Sequence, residues 1–272
     1  MRQPRGCAKG CWDANSLASN TSETLRAYRF GMPSRRRSAL VDRLVVDQPG
    51  RPQQEILDEL RRVILDGAVP PGTPIPLAEV ADLFGVSQIP VRESLKTLIG
   101  EGLVTHRSHS GYTVAQLTVQ ELREMYIVRE TLESASLAAA LANATDADRA
   151  AIVAVNEVLQ QAIRDDDPLT YQRQSRQFHI ALTRPSRMYR LLHMLEAAWN
   201  VTEPVQSMIH VAPSDRVHLH TDHCQMVDAF LAGDVEQLLA VSELHAQRLN
   251  SVIATLPTDT GLLAPSDISF TQ

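Results

Sequence analysis

From Gln54 onward apolar side chains return at helical spacing. Ile56, Leu60, Val63 and Ile64 make one such face, and Gly67 followed by Pro70, Pro71 and Gly72 should end it. Leu77, Val80, Ala81 and Phe84 predict a second, shorter helix that breaks at Gly85, with Val86 and Ser87 in a tight turn. Ser87 suits the N-cap of a third helix running to about Gly100. Pro90 is tolerated near its start, where backbone N–H groups have no intrahelical partner. The period then changes. Leu103-Val104-Thr105 and Tyr112-Thr113-Val114 are β-prone runs around the polar stretch His106–Gly111, which predicts a hairpin with a flexible tip. Beyond Thr118 no strand is expected. Glu121–Asn143, Asp146–Asp165, Thr170–Thr183, Met188–Thr202, Val217–Ala232 and Val235–Thr255 all repeat helically, with breaks at Asp165–Pro168, Arg184-Pro185 and Gly233-Asp234. The fold is therefore mainly α: an N-terminal winged helix-turn-helix with a small β-hairpin, then an all-α bundle of six or seven helices.

This pattern divides the chain into a basic, structureless arm (1–50), the winged helix (51–117), the bundle (118–256) and a flexible polar tail (257–272). Aromatic residues are only 4% of the chain, which favours a Leu, Val, Ile and Ala core over a β-sandwich. The net charge of −6 is unevenly spread, since residues 1–51 carry ten Lys and Arg against four Asp and Glu. Residues 52–116 carry five Lys and Arg against eight Asp and Glu, so DNA contact there must come from placed side chains and helix N-termini rather than a general positive field. Cys7, Cys11 and Cys224 offer no disulfide framework, as expected of a reducing compartment; Cys7 and Cys11 read as inert thiols in a tail rather than as half of a metal site, since no second pair lies nearby. With no apolar run long enough to span a bilayer and no secretory leader pattern, a cytoplasmic protein without membrane partners is expected.

Two short helices joined by a Gly-containing turn and followed by a hairpin place the second helix in the major groove of DNA. On that helix Gln88, Arg92 and Lys96 stand four apart and share a face, while Val91, Leu95 and Leu98 point to the core. Arg can bond guanine bidentately and Gln adenine, and Ser87 with the helix N-terminus can take a phosphate. A solvated helix face is the alternative for any one of these charges. The run Gly85-Val86-Ser87-Gln88-Ile89-Pro90-Val91-Arg92-Glu93-Ser94-Leu95, then Glu101-Gly102-Leu103-Val104 and Gly111-Tyr112-Thr113-Val114, with Ile64-Leu65-Asp66-Gly67 and Pro71-Gly72 upstream, resembles the GntR family of winged-helix repressors over about Gln54–Leu117. The resemblance implies that Arg92 contacts DNA and that the hairpin tip, with Arg107, Ser108, His109, Ser110 and Gly111, enters the minor groove. Gln88 stands where relatives often have Arg, and Ala78 where they often have a basic residue, so the base preference is expected to differ.

Tyr126, Arg129, Glu133, the Phe178-His179 pair, His223, Gly233-Asp234 and His245 are similar to the FCD domain of the FadR subfamily over about Thr118–Ala254. His245 follows His223 by 22 residues across the Gly233 break, a spacing that lets two antiparallel helices bring them together. The resemblance implies that His179, His223 and His245 hold a divalent metal, zinc or nickel, with an Asp four residues before the first. Here that position is Ser175, a poor ligand, leaving room for water or an anionic effector. Three neutral histidines lining a metal-free effector cavity is the other reading. Arg129 is either a partner for an effector carboxylate or an i,i+4 pair with Glu133. Together these imply a homodimeric repressor that binds a near-palindromic operator and is released by a small-molecule effector, an organic acid, fatty acid or acyl-CoA. The rival readings are a metal-dependent hydrolase and a structural DNA binder indifferent to small molecules.

Overall fold

The computed structural model describes residues 38–46, 53–108, 110–255 and 262. The remainder of the basic arm, with Cys7 and Cys11, and the tail other than Leu262 lie outside the described residues. The winged helix contains α1 (Gln53–Leu65), β1 (Pro74–Ile75), α2 (Leu77–Phe84), α3 (Gln88–Gly100), β2 (Val104–Arg107) and β3 (Gly111–Val114). Ile56, Leu60, Val63 and Ile64 of α1 meet Val80 of α2 and Val91, Leu95 and Leu98 of α3, all fully buried. Ser94 is buried among them because its hydroxyl donates to the carbonyls of Pro90 and Gln53, at 3.0 and 3.1 Å.

Two elements of this domain lie outside the sequence-based expectation. β1 pairs antiparallel with β3 (Pro74 opposite Thr113, Ile75 opposite Tyr112), so the hairpin is the larger part of a three-stranded sheet in the order β1-β3-β2. Two residues are too few to show alternation. Within the arm expected to be structureless to residue 50, Ser38–Val46 instead forms a short 3-10 turn at Val41–Arg43 that buries Leu40, Val41 and Leu44 in the winged-helix core. Ser38 donates to the Pro74 carbonyl at 2.7 Å and the Val45 amide to Glu59 Oε1 at 2.6 Å. Nine residues with three apolar anchors show no period, so only tertiary packing reveals them.

The bundle consists of α4 (Val119–Asn143), α5 (Asp146–Arg164), α6 (Pro168–Thr183), α7 (Tyr189–Thr202), α8 (Pro213–Ala232) and α9 (Val235–Ile253). Several begin earlier than the apolar period does. α6 and α8 start on prolines, whose missing N–H is harmless in a first turn. Thr118 and Glu121 form a capping box at α4, and Thr145 and Asp148 another at α5. Leu159, Phe178, Phe230 and Leu238 are fully buried in the common core. A polar seam runs through that core: Arg129, Glu133 and Ser136 of α4, His179 of α6, Asp222 and His223 of α8 and His245 of α9 are all buried.

Between α7 and α8 the chain makes two 3-10 turns, Glu203–Val205 and Ser207–Ile209, hinged on Gln206 in the left-handed region (φ 48°, ψ 48°). Here the winged helix meets the bundle. Gln206 Nε2 donates to the Asp66 carbonyl at 2.9 Å and lies over Gly67, where an added Cβ would come within 1.6 Å of it. Gly67 itself has φ +61°. Gly67→Ala should therefore combine the 1–2 kcal/mol of a left-handed L-residue with loss of a hydrogen bond of about 1 kcal/mol. A urea titration should show a loss of roughly 2–3 kcal/mol. In a Gln206→Ala background the same change should cost only the backbone part.

Candidate functional site

The exposed end of the winged helix is built by α2, its turn and α3. Gly85 closes α2 in the left-handed region (φ 65°) and its N–H reaches the Ala81 and Asp82 carbonyls. Ser87 then sits at the N-cap of α3 with extended backbone, but its hydroxyl makes no capping bond, which leaves it free for an outside partner. Gln88, Arg92 and Lys96 are exposed on one face of α3. Lys96 pairs with Glu93 at 2.8 Å, whereas Arg92 has no hydrogen-bond or ion-pair partner among the described residues. Ile89, which sequence reasoning passed over, is 72% exposed beside them. In the hairpin, Arg107 lies opposite Gly111, Arg107, Ser108 and Ser110 are exposed, and the His106 and Tyr112 rings pack with centroids 4.5 Å apart. His109 lies outside the described residues.

The second site is the polar seam. His179, His223 and His245, expected from sequence to converge, do so: one donor atom from each lies within 4.8 Å of the others, and ring centroids are 4.6–5.4 Å apart. All three are buried, with Phe178 against His223 at 4.5 Å and Trp199 against His179 at 5.5 Å. Two carboxylates orient the rings. His179 Nδ1 donates to Glu133 Oε2 at 2.8 Å, while Glu133 Oε1 accepts from the Trp199 indole at 3.2 Å. Asp222 Oδ2 stands 3.5 Å from His245 Nδ1, longer than an ordinary hydrogen bond, and its Oδ1 accepts from Arg248 at 3.0 Å.

Four ring nitrogens of the cluster, His179 Nε2, both nitrogens of His223 and His245 Nδ1, are buried with no hydrogen-bond partner among the described residues. Burial holds the His223 imidazole well below its ordinary pKa, with His245 and His179 adding to the effect. Burial also lowers His245, opposed by the nearby Asp222 carboxylate. Burial alone would push the Glu133 carboxyl up, but His179, Arg129 and His245 together outweigh it and hold it below the usual range. Imidazoles with unused ring nitrogens, backed by carboxylates, are the donor set that a borderline divalent ion takes. The residues present fit such an ion.

Arg129 does not form the i,i+4 pair with Glu133; among the described residues it has no salt bridge. Its guanidinium lies 3.1 Å over the Trp199 ring and 4.6 Å over the Tyr126 ring, reaches Thr202 Oγ1 at 3.4 Å, and keeps Nε without a partner. Two cavities of about 20 Å³ each flank the histidines. Arg129, Glu133, His179 and His245 line one; Arg129, Gln172, Ser175 and His223 line the other. Each has room for about one water or ion. Sequence reasoning missed Asp222, whose neighbour in the chain is His223 but whose partner in space is His245, and Trp199, whose indole marks no motif.

Residues 124–248 match the FCD domain family, and residues 52–114 match the family described as bacterial regulatory proteins, gntR family. Over 186 residues the chain is 30% identical to a probable D-xylose utilization operon transcriptional repressor of Paenarthrobacter nicotinovorans, covering 67% of this chain and 80% of that one. It is 28% identical over 185 residues to the HTH-type transcriptional regulator McbR of Escherichia coli, covering 67% and 83%. Among solved structures, E. coli McbR/YncC superposes with a TM-score of 0.66 at 24% identity, covering 74% of this chain and 96% of that one. A GntR regulator from a Rhodococcus species gives 0.65 at 22%, covering 74% and 97%. At these identities the superpositions establish the fold alone.

The unpartnered nitrogens generate a stability prediction. In chelator-treated protein, His223→Leu replaces two orphaned polar atoms with apolar surface, so the melting temperature should hold or rise by the equivalent of about 1–2 kcal/mol. A loss of several kcal/mol in that measurement would mean the ring is held by partners within the protein.

Proposed function

Because the chain belongs to the GntR family of bacterial regulatory proteins, with an FCD domain behind its winged helix, and is a DNA-binding transcriptional regulator, we propose that it acts as a repressor released from its operator by a small carboxylate. The observation that carries this reading is the continuity between the histidine cavity and the DNA-binding domain. Tyr126, a cavity wall, donates to Ser207 Oγ at 3.2 Å, and Gln172, another, accepts from the Met208 amide at 3.0 Å. Ser207 is the neighbour of Gln206, which grips the turn just after α1 at Asp66. An occupant that moves these walls moves the segment on which the winged helix rests. A crevice of about 400 Å³ between the domains, lined by Arg61, Glu101, Arg176 and Glu196, leaves space for the shift.

In this reading α3 enters the major groove, with Gln88, Arg92 and Lys96 toward base edges and Ser87 at a phosphate. Arg107, Ser108, His109, Ser110 and Gly111 form the wing at the minor groove. Ile89 is placed to meet a thymine methyl. Two copies related by a two-fold axis read two half-sites of a near-palindromic operator. His179, His223 and His245 hold zinc or nickel, which when bound supplies a localised positive charge toward an anionic ligand. Ser175, in place of a ligating carboxylate, leaves a position for water or for the effector, and Arg129 offers the effector a second cationic contact. The small cavities favour a short organic acid over a fatty acid or acyl-CoA. The protein works in the cytoplasm, where its DNA is. The relatives are regulators, which weighs against the metal-hydrolase reading.

Fluorescence anisotropy on operator and random duplexes tests the interface. Arg92→Ala should weaken operator binding by about 1–3 kcal/mol, roughly 5- to 150-fold, with a much smaller loss on random DNA. Equal losses on both would reassign Arg92 to a phosphate. For the sensor, titrating short mono- and dicarboxylates into zinc-loaded protein should lower operator affinity. Affinity that stays flat with every acid, with and without metal, and depends only on salt would favour a structural DNA binder.

A further inference from the structure

The carboxylate of Glu133 is buried and both of its oxygens are used. Oε1 accepts from Trp199 Nε1, and Oε2 from His179 Nδ1. An indole nitrogen can only donate, so its demand on Glu133 is fixed, whereas an imidazole can carry its proton on either nitrogen. We propose that Trp199 and Glu133 act as a directional pair that dictates the tautomer of His179. The indole pins the carboxylate, the carboxylate holds the proton on Nδ1, and the lone pair of Nε2 is thereby committed to the centre of the histidine cluster. His179 Nε2 is one of the buried nitrogens that no protein group satisfies. Glu133 and Trp199 are positioning residues here, since neither is a member of the three-histidine donor group. The inference rests on the metal reading of that cluster for its purpose, but not for its geometry.

The chemistry of the amide makes the idea sharp. In Glu133→Gln one oxygen becomes an NH2. The remaining oxygen must stay on the Trp199 N–H, because turning the NH2 toward the indole would oppose two donors. The NH2 then faces His179 Nδ1, which has to accept, so the ring proton moves to Nε2 and the lone pair leaves the cluster. Size and burial are unchanged while the donor direction reverses. Adding Trp199→Phe frees the amide to turn its oxygen back to His179, which restores the proton to Nδ1. A purely electrostatic role for the Glu133 charge predicts no such rescue.

Two measurements on the full-length protein test this. Nitrogen-15 NMR of histidine-labelled, chelator-treated protein at mildly alkaline pH reports the tautomer without any metal. His179 should be Nδ1–H in the wild type, Nε2–H in Glu133→Gln and Nδ1–H again in the Glu133→Gln/Trp199→Phe double variant. Zinc competition against a chromophoric chelator should then show affinity falling about 10- to 100-fold in Glu133→Gln. Most of that loss should be recovered in the double variant. An Nε2–H tautomer in the wild type overturns the proposal without any variant needing to fold. An unchanged tautomer in Glu133→Gln, or an affinity loss that the second substitution leaves untouched, overturns it as well. Zinc binding too weak to detect in the wild type overturns the metal reading instead, and the NMR result then decides the pair alone.

Discussion

A buried imidazole needs somewhere to send its nitrogens, and in this bundle three of them are packed among Phe178, Tyr171 and Trp199 with ring nitrogens that no protein atom satisfies. Each orphaned group costs on the order of 1–3 kcal/mol, so the seam is tolerable only because other groups answer part of the demand. Glu133 answers His179 and needs Trp199 in turn; Asp222 faces His245 and needs Arg248. Partners of partners thus run from α4 through α6 and α7 to α8 and α9. The site is a network whose members each hold another in place, rather than a pocket cut into a finished core.

At the other end of the molecule the constraint is reversed. The exposed side chains of α3 have few partners, and Arg92 has none among the described residues, on a helix whose inner face is fully buried. The surrounding domain carries more acid than base, so recognition falls to a few placed groups on a rigid support. The support includes Leu40, Val41 and Leu44 from the preceding segment, which complete the hydrophobic underside of the helices. Between the two ends the irregular stretch around Gln206 rests against the turn after α1, where Gly67 leaves space for it.

The helices were legible because each buries one face for several turns, which writes a period into the chain. Convergence of His179, His223 and His245 was legible from family resemblance and spacing. What escaped is what depends on few residues or on distant ones. β1 is two residues long, and Ser38–Val46 contributes anchors without a repeat. Arg129 and Glu133 have the spacing of a helical ion pair, yet both turn to other helices: Arg129 to the Trp199 ring, Glu133 to the Trp199 indole N–H and to His179, 46 residues away. Local spacing offers a partner, and burial of aromatic rings and imidazoles in the assembled core decides whether the offer is taken.

The two cavities beside the histidines are no larger than a water or an ion needs. If the proposed carboxylate binds here, it would select a less populated, expanded form of the bundle. Its apparent dissociation constant exceeds the intrinsic one by the inverse of that form's population. On the proposed reading, tight packing would then act as a threshold, with trace amounts of a metabolite going unheard until the compound has accumulated.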